Sequence, residues 1–332
     1  MITTFLQRAQ GCMSGLAIGD ALGRPVEGMS AQKIRENYGS VKDFLALSPG
    51  GSDDTEYALL TASAILKYGV NITADQFAEF WKDNVCNQKA AFLGAGFSEM
   101  SAIDNLRRGL MPPFSGQHTH SWSDGLAMRV APIGIVAAGN LPLAISLTTA
   151  DGSVSHAGEG IWSGLAVAAA IATAMAGGNA RESFIAAAES VPEDSWTYRS
   201  LIKVRDIINQ GEGKSTPDLV DSLLYSVAVE DYYYADLAPE AVSLALGAVL
   251  YGDGDFVKTL LFAVNLGRDA DTIAAMAGAV AGALVGYEEI PESWRIAIRA
   301  VQGSCLEFAA GLNPVDIATE LVQMVESKEL SK

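Results

Sequence analysis

The sequence predicts an all-α fold, and three observations predict it. Apolar residues, mostly Ala and Leu, recur at helical spacing through most of the 332 residues. Almost no segment shows the sustained alternation with β-branched residues that a strand requires. Glycines recur every fourth residue at Gly11, Gly15, Gly19 and Gly23, and again at Gly278, Gly282 and Gly286, a spacing that in a helix sets them close to one face.

Along the chain, the first helical segment is 5–23, which carries the first glycine stripe. Segment 55–68 follows the turn SPGGS at 48–52, and segments 74–85 and 89–108 precede the turn MPPFSG at 111–116. Two stretches without charge, 130–150 and 161–180, read as buried parts of a core: the first is interrupted by Pro132, Gly134, Gly139, Asn140 and Pro142, and the second is mostly Ala, too weakly hydrophobic for a membrane span. Helices follow at 156–176, 181–190 and 198–210, the last ended by GEGKSTP at 211–217. Segments 216–228 and 239–251 come next, then Gly252 to Gly254 as a turn, then 255–265. Segment 272–286 carries the second glycine stripe, and 291–311 is the final helix expected. No loop is long enough to be a flexible linker, so the chain reads as a single domain over 1–332.

Each helical glycine forgoes about 1 kcal/mol of helix propensity relative to Ala. Close approach of another backbone is the compensation expected, in preference to ligand contact. A dinucleotide fingerprint is excluded, because G-x-x-x-G-D-A-L-G has the wrong spacing and no strand precedes it.

Hydrophobic residues at 49% and charged residues at 18% supply a deep core and exclude disorder. With 22 Lys and Arg against 39 Asp and Glu, the net charge is −17, which repels phosphate backbones and anionic lipids. Neither a nucleic-acid nor a membrane partner is therefore expected. Cys12, Cys86 and Cys305 are far apart and form no C-x-x-C pair, so no disulfide framework or zinc site is implied. The start, MITTFLQRAQGCMSG, lacks the basic and apolar regions of a signal peptide. Together these predict a cytoplasmic protein.

Acidic residues cluster at element boundaries. Ser52-Asp53-Asp54-Thr55-Glu56 precedes the apolar run 57–66, Asp269-Ala270-Asp271-Thr272 precedes the helix from Ile273, and Asp20 and Glu27 flank Gly23. One reading is helix capping, and Asp53 with Glu56 even has capping-box spacing. The other is cation binding, since one cap needs one oxygen and adjacent carboxylates repel unless neutralised. If the two helix starts converge, Ser52, Asp53, Asp54, Asp269, Asp271 and Thr272 make an all-oxygen shell suited to Mg²⁺ or Mn²⁺ and not to Zn²⁺. Spacing alone does not establish that convergence.

The chain resembles the ADP-ribosylglycohydrolase family. The matching motifs are G-x-x-x-G-D-A-L-G-x-P-x-E (Gly15 to Glu27), S-D-D-T (Ser52 to Thr55), M-R-x-x-P-x-G (Met128 to Gly134), Ser155-His156, N-L-G-R-D-A-D-T-I-A-A-x-A-G-A-x-x-G-A (Asn265 to Ala283) and P-x-x-W (Pro291 to Trp294), in order over nearly the whole chain. The resemblance implies a compact orthogonal helical bundle holding two Mg²⁺ ions, for which Mn²⁺ is a possible substitute. Its metal ligands would be Ser52, Asp53, Asp54, Asp269, Asp271 and Thr272. Glu27 would lie beside the site, and Glu27, Asp54 and Asp271 are the catalytic candidates. Ser121, Trp122, Ser123, Asp124, Gly125 and His156 would line the pocket for the substrate's ribose and phosphates. The implied reaction is hydrolysis of a glycosidic bond at ribose C1, with an ADP-ribosylated protein or small molecule as substrate.

The chain departs from the family pattern in four places: Ser52 replaces Thr, Arg268 and Ala270 replace a Gly and a Thr, and Asp124 stands where Asn is usual. Arg268 is expected to set a positive charge beside the metals, and Arg268, Arg129 and His156 are the groups available to a diphosphate. Asp124 opposes a phosphate, which keeps open a nucleoside or other small riboside as substrate. An inactive binding or structural relative is the third reading, opposed by the intact ligand set. His156 is expected to start the helix 156–176. His118, His120 and Tyr232 to Tyr234 are read either as surface and packing residues or as parts of the pocket and its cover.

Overall fold

The computed structural model describes residues 3–211, 213–298 and 300–329. Their α-helices are α1 (Phe5–Gly23), α2 (Ala31–Tyr38), α3 (Asp53–Tyr68), α4 (Ala74–Asn84), α5 (Phe97–Arg107), α6 (Ala131–Val136), α7 (Leu141–Ser155) and α8 (Glu159–Met175). They continue with α9 (Ala180–Glu189), α10 (Trp196–Gln210), α11 (Thr216–Val227), α12 (Ala238–Gly252), α13 (Phe256–Val264), α14 (Ala270–Val285), α15 (Glu292–Ala297) and α16 (Pro314–Glu329). Capping boxes open α1 (Thr4 with Gln7), α4 (Thr73 with Gln76) and α9 (Asn179 with Glu182), each satisfying two otherwise orphaned amides. Among the described residues there is no strand, only isolated bridges pairing Ser30 with Gly267 and Ser123 with Leu237. No described helix is long and apolar enough to cross a membrane.

Two helices form the axis of the core. Every residue of α1 from Gly11 onward is buried, as are fourteen of the sixteen residues of α14. A helix apolar all round belongs in an interior. The glycine stripes explain how the two fit together. A methyl group placed on Gly15 would collide with the carbonyl of Gly278, one on Gly19 with that of Ala274, and one on Gly282 with that of Gly11. The backbones therefore touch directly and antiparallel, and the packing gained offsets the propensity lost. At the far end, the guanidinium of Arg8 donates to the carbonyls of Ala283 and Leu284, both at 2.9 Å, closing the C-terminus of α14. One cluster of buried apolar side chains runs from Ala9 to Val322 around this axis.

The structure corrects several element boundaries. Segment 89–108 is helical only from Phe97, because Gly94 with φ of 92° breaks the chain direction first. Segment 291–311 is α-helical only over Glu292–Ala297, with a short 3-10 turn at Glu307–Ala309; between them the amides of Ser304, Cys305 and Leu306 donate to the buried carboxylate of Glu56 at 2.7–2.8 Å. His156 does not start a helix: it ends α7 in an extended conformation, and α8 begins at Glu159. The 130–150 stretch contains α6 and α7, and α7 turns Pro142 and Ile145 to solvent. Its Asn140 cap and Pro142 at the second position start a helix where a break was expected. Helices α2 and α16 were not anticipated. The single-domain expectation over 1–332 includes residues 1, 2, 212, 299 and 330–332, which lie outside the described residues.

The direct contact of α1 and α14 predicts asymmetric tolerance of alanine. Gly15→Ala or Gly278→Ala should cost about 1–3 kcal/mol or more through forced separation of the backbones, whereas Gly50→Ala, with open space around it, should be nearly neutral. Thermal melting of the three variants checks this.

Candidate metal centre and active cleft

The antiparallel contact sets the C-terminal end of α1 against the N-terminal end of α14. Gly23 abuts the backbone of Ala270 and Asp271, so Asp20, one turn earlier on α1, lies beside Asp271. Asp20 then recruits a third helix end. Its Oδ2 accepts from the amides of Ser52 (2.7 Å) and Thr55 (3.2 Å) and from the Thr55 hydroxyl (2.5 Å). Asp20 thus caps α3 from outside, and the Ser52 and Asp269 side chains make no capping bond to their own helices. The capping-box reading of Asp53 with Glu56 also falls, since Glu56 is engaged by the 304–306 amides.

The convergence that sequence spacing left open is therefore present. Carboxylate oxygens of Asp20, Asp54 and Asp271 all lie within 4.8 Å of one another, and so do those of Glu27, Asp269 and Asp271. Asp271 belongs to both groups. Glu27 is held there because the turn carrying it exchanges bonds with the segment before α14: the Gly28 amide donates to the Arg268 carbonyl and the Arg268 amide to the Met29 carbonyl, both at 2.8 Å. Ser52 Oγ donates to Asp54 Oδ2 at 3.1 Å, and Thr272 faces the cleft.

Five carboxylate oxygens around this cleft are buried without a partner among the described residues: Asp20 Oδ1, Asp54 Oδ1, Asp124 Oδ2, Asp236 Oδ1 and Asp271 Oδ1. A buried anionic oxygen without donor or cation is expensive. Burial first, and then repulsion between neighbours, raises the carboxyls of Asp54, Asp124, Asp269 and Asp271 well above their usual range. Burial also raises that of Asp20, and Asp53 is pushed up to about 8 by burial and by the charge of Asp20. An all-oxygen donor set with unanswered negative charge fits a hard divalent cation.

The carboxylates open onto a cleft of about 630 Å³. Asp53, Asp269 and Asp271 form one wall with Glu27 at its mouth, and Glu99, Ser123, Asp124 and Gly125 form another. Gly94 to Phe97 and the Tyr232 to Asp236 loop flank it. No Lys or Arg lines it, and His120 is its one basic side chain among the described residues.

Of the residues expected to hold substrate, Ser123, Asp124 and Gly125 line the cleft, but Ser121, Trp122 and His156 do not. The Ser121 carbonyl accepts from the Ala157 amide at 3.2 Å, and Trp122 is 45% exposed, lying outside the cleft over Gly158. His156 is buried one layer behind, with Nε2 at 3.0 Å from Ser123 Oγ and Nδ1 at 2.8 Å from Ser155 Oγ. Burial, then the nearby charge of Arg129, holds its imidazole well below the usual range, so it sits there neutral. Neither arginine offered to a diphosphate reaches the cleft. Arg129 is wholly buried between Asp151 (3.1 Å), Glu99 (3.3 Å) and Ser155 (2.9 Å). Arg268, in the left-handed region at φ of 63°, turns away to Glu240 (2.6 Å) and the Val229 carbonyl (2.9 Å).

Sequence reading placed Asp20 at the first glycine helix but not in the ligand shell; its signal was its place one residue after Gly19. Glu99 and Asp236 gave no signal, since one lies in an ordinary amphipathic helix and the other in a loop.

The sequence profile of the family described as ADP-ribosylglycohydrolase matches residues 1–327. The chain is 36% identical over 298 residues to an uncharacterized protein of Archaeoglobus fulgidus, covering 87% of this chain and 90% of that one. It is 25% identical to an ADP-ribosylarginine hydrolase of Serratia proteamaculans (87% and 74% covered) and 26% identical to the ADP-ribosyl-[dinitrogen reductase] glycohydrolase of Rhodospirillum rubrum (86% and 88% covered). A solved structure titled "ADP-ribosylglycohydrolase-related protein complex" superposes with a TM-score of 0.67 at 24% identity, over 97% of this chain and 99% of that one, a likeness of fold.

The charge cluster predicts an inverted stability profile for metal-free protein. These carboxyls bind protons more tightly folded than unfolded, so the unfolded chain binds fewer and stability falls as pH rises. In chelator, the melting temperature should decline from about pH 4 through the Asp53 value of about 8. Asp54→Asn should raise that temperature at pH 7, and the wild type should gain more than the variant from added Mg²⁺. Differential scanning fluorimetry reads all three.

Proposed function

The chain belongs to the ADP-ribosylglycohydrolase family, and on that premise we propose that it is a single-domain Mg²⁺-dependent hydrolase that cleaves the glycosidic bond at ribose C1 of an ADP-ribosylated protein or small molecule, releasing ADP-ribose. The observation that carries the metal dependence is the meeting of the Asp20, Asp54 and Asp271 carboxylates with an unpartnered oxygen on each. These three would hold one ion, and Glu27, Asp269 and Asp271 a second. Ser52, Asp53 and Thr272 complete the donor set, with Ser52 oriented by its bond to Asp54. When bound, divalent cations supply the charge that holds ribose hydroxyls and makes a water a competent nucleophile near neutral pH.

This chain's own residues do the rest. The positive ends of α3 and α14 point at the carboxylates and favour the anionic form that a cation requires. Glu27, exposed at the cleft mouth, is placed to move a proton at the reacting water while touching the second group of ligands. The buried Arg129, bonded to Glu99, Asp151 and the Gly125 carbonyl, fixes the wall that carries Asp124. Three buried, unpaired cysteines support a reducing, cytoplasmic setting.

A second reading, hydrolysis of a nucleoside or other small riboside, is favoured by one observation: the cleft has no Lys or Arg and presents Asp124 and Asp236. Turnover of ADP-ribosyl-arginine, ADP-ribosyl-serine peptide and plain nucleosides, side by side, decides between the two. Asp124→Asn should strengthen ADP-ribose binding if the diphosphate is held in this cleft. Loss of nucleoside turnover with no gain for ADP-ribose would favour the small riboside.

Asp54→Asn and Asp271→Asn should abolish hydrolysis and calorimetrically detected Mg²⁺ binding in a folded protein. Excess chelator should do the same to the wild type. Glu27→Gln should lose turnover by about tenfold or more while retaining Mg²⁺ binding through the Asp20 group.

A further inference from the structure

One constellation on the cleft wall is not used by the metal centre. The segment 121–124 pairs with 236–238: the Asp124 amide donates to the Asp236 carbonyl and the Ala238 amide to the Trp122 carbonyl, each at 3.0 Å. That pairing sets His120 beside Asp236, 116 residues away in the chain. His120 Nε2 lies 2.9 Å from Asp236 Oδ2 and 3.2 Å from the Tyr232 hydroxyl. A carboxylate accepts only, so Nε2 carries its proton and the tautomer is fixed. Nδ1 bonds to no group among the described residues, and the ring is about one-fifth exposed, along the cleft. Phe97 packs edge-on against the ring at 5.9 Å, and Ser98 Oγ donates to the His120 backbone carbonyl at 2.5 Å, which fixes the loop that carries the ring.

Resting on the hydrolase reading above, we propose that His120 is the general acid of the reaction, donating the proton on Nδ1 to the leaving atom of the aglycone, with Asp236 as the positioning residue that holds Nε2. The departing amine or alcohol is too basic to leave as an anion, so a proton must reach it as the bond breaks. The other cleft groups are engaged elsewhere: the raised carboxyl of Asp124 is hydrogen-bonded to Asp269 inside the acidic cluster. Carboxylates that ligate a cation are acceptors only, and Glu99 is tied to the buried Arg129. Burial pushes the Tyr232 phenol up, away from neutrality. Asp236 raises the imidazole, so the protonated form is available, and the other titratable groups near it are Glu99, Tyr232 and His118.

The step balances. As the C1–N or C1–O bond breaks, its electron pair stays on the leaving atom and forms a bond to the Nδ1 proton. The oxygen of a water bonds to C1. That water's surplus proton passes to a cleft carboxylate and then to solvent, from which Nδ1 is protonated again. One water is consumed, and one free ribosyl product and one neutral amine or alcohol leave.

Leaving-group dependence tests the assignment. The probes are ADP-ribosyl-arginine, whose departure needs a proton, and the 4-nitrophenyl glycoside of ADP-ribose in the same anomeric configuration, whose phenolate departs without one. His120→Gln, with His120→Asn as a second variant, should lower kcat on ADP-ribosyl-arginine by about 10²–10⁴-fold and on the nitrophenyl glycoside by no more than about tenfold. Asp236→Asn should shift the two rates in the same selective direction, which a merely structural residue would not. Retained Mg²⁺ binding and melting temperature establish folding. Equal losses on both substrates, or no loss on ADP-ribosyl-arginine, overturn the role of His120. A wild-type protein that turns over neither substrate overturns the ADP-ribosyl hydrolase reading itself, and this assignment with it.

Discussion

The structure depends on one contact: the backbone of α1 lying directly on the backbone of α14. No side chain separates them over three successive turns, so neither helix can slide or rotate without a glycine meeting a carbonyl. The consequence is chemical as much as architectural. Because the helices run antiparallel and end together, the carboxylate one turn before the end of α1 faces the carboxylate at the start of α14. Asp20 and Asp271 are brought together by packing alone, although they stand 251 positions apart in the chain.

Packing forces the charges together, and the charges give the site its requirement. Buried carboxylates with unpartnered oxygens are tolerated in a folded protein only where something answers them. Here the two helix N-termini answer in part, and the Asp20 bonds to the start of α3 answer one oxygen of four or more. The remaining negative charge is what a bound cation would answer. Stability and reactivity are coupled at the same atoms, which is a common arrangement where a site stores strain against its ligand.

The opposite wall is built on a different principle. Arg129, Glu99, Asp151, Ser155, His156 and Ser123 form a fully hydrogen-bonded buried network in which nearly every donor finds an acceptor. Its polar groups are satisfied, whereas those of the carboxylate wall are not. The cleft thus lies between a hydrogen-bonded wall and an electrostatically unsatisfied one. Arg268 serves the first wall, pinning the 229–232 loop to Glu240, so both arginines that sequence suggested for substrate are structural braces.

The helical class was legible in the sequence because the helix repeat is local: an apolar residue every three or four positions states its own conformation. The S-D-D-T and D-A-D-T motifs were legible because they stand at helix starts, and the glycine stripes announced a close backbone approach without naming the partner. Helix α7 was not legible, because its Asn140-x-Pro142 start looks like a break until the amides are followed. That Arg129, Trp122 and His156 do not line the cleft has a common reason. A motif fixes a residue's place along the chain but not whether its side chain faces the cleft or the layer behind it, and a single turn of register decides that. The His120–Asp236 pair was beyond sequence altogether, since two loops meet there through backbone bonds that any residues make. The sequence by itself determined the helical class, the acidic motifs and the family. Only the tertiary structure decided which carboxylates share one small volume, because that depends on how closely two helices approach, a distance set by both at once and written in neither alone.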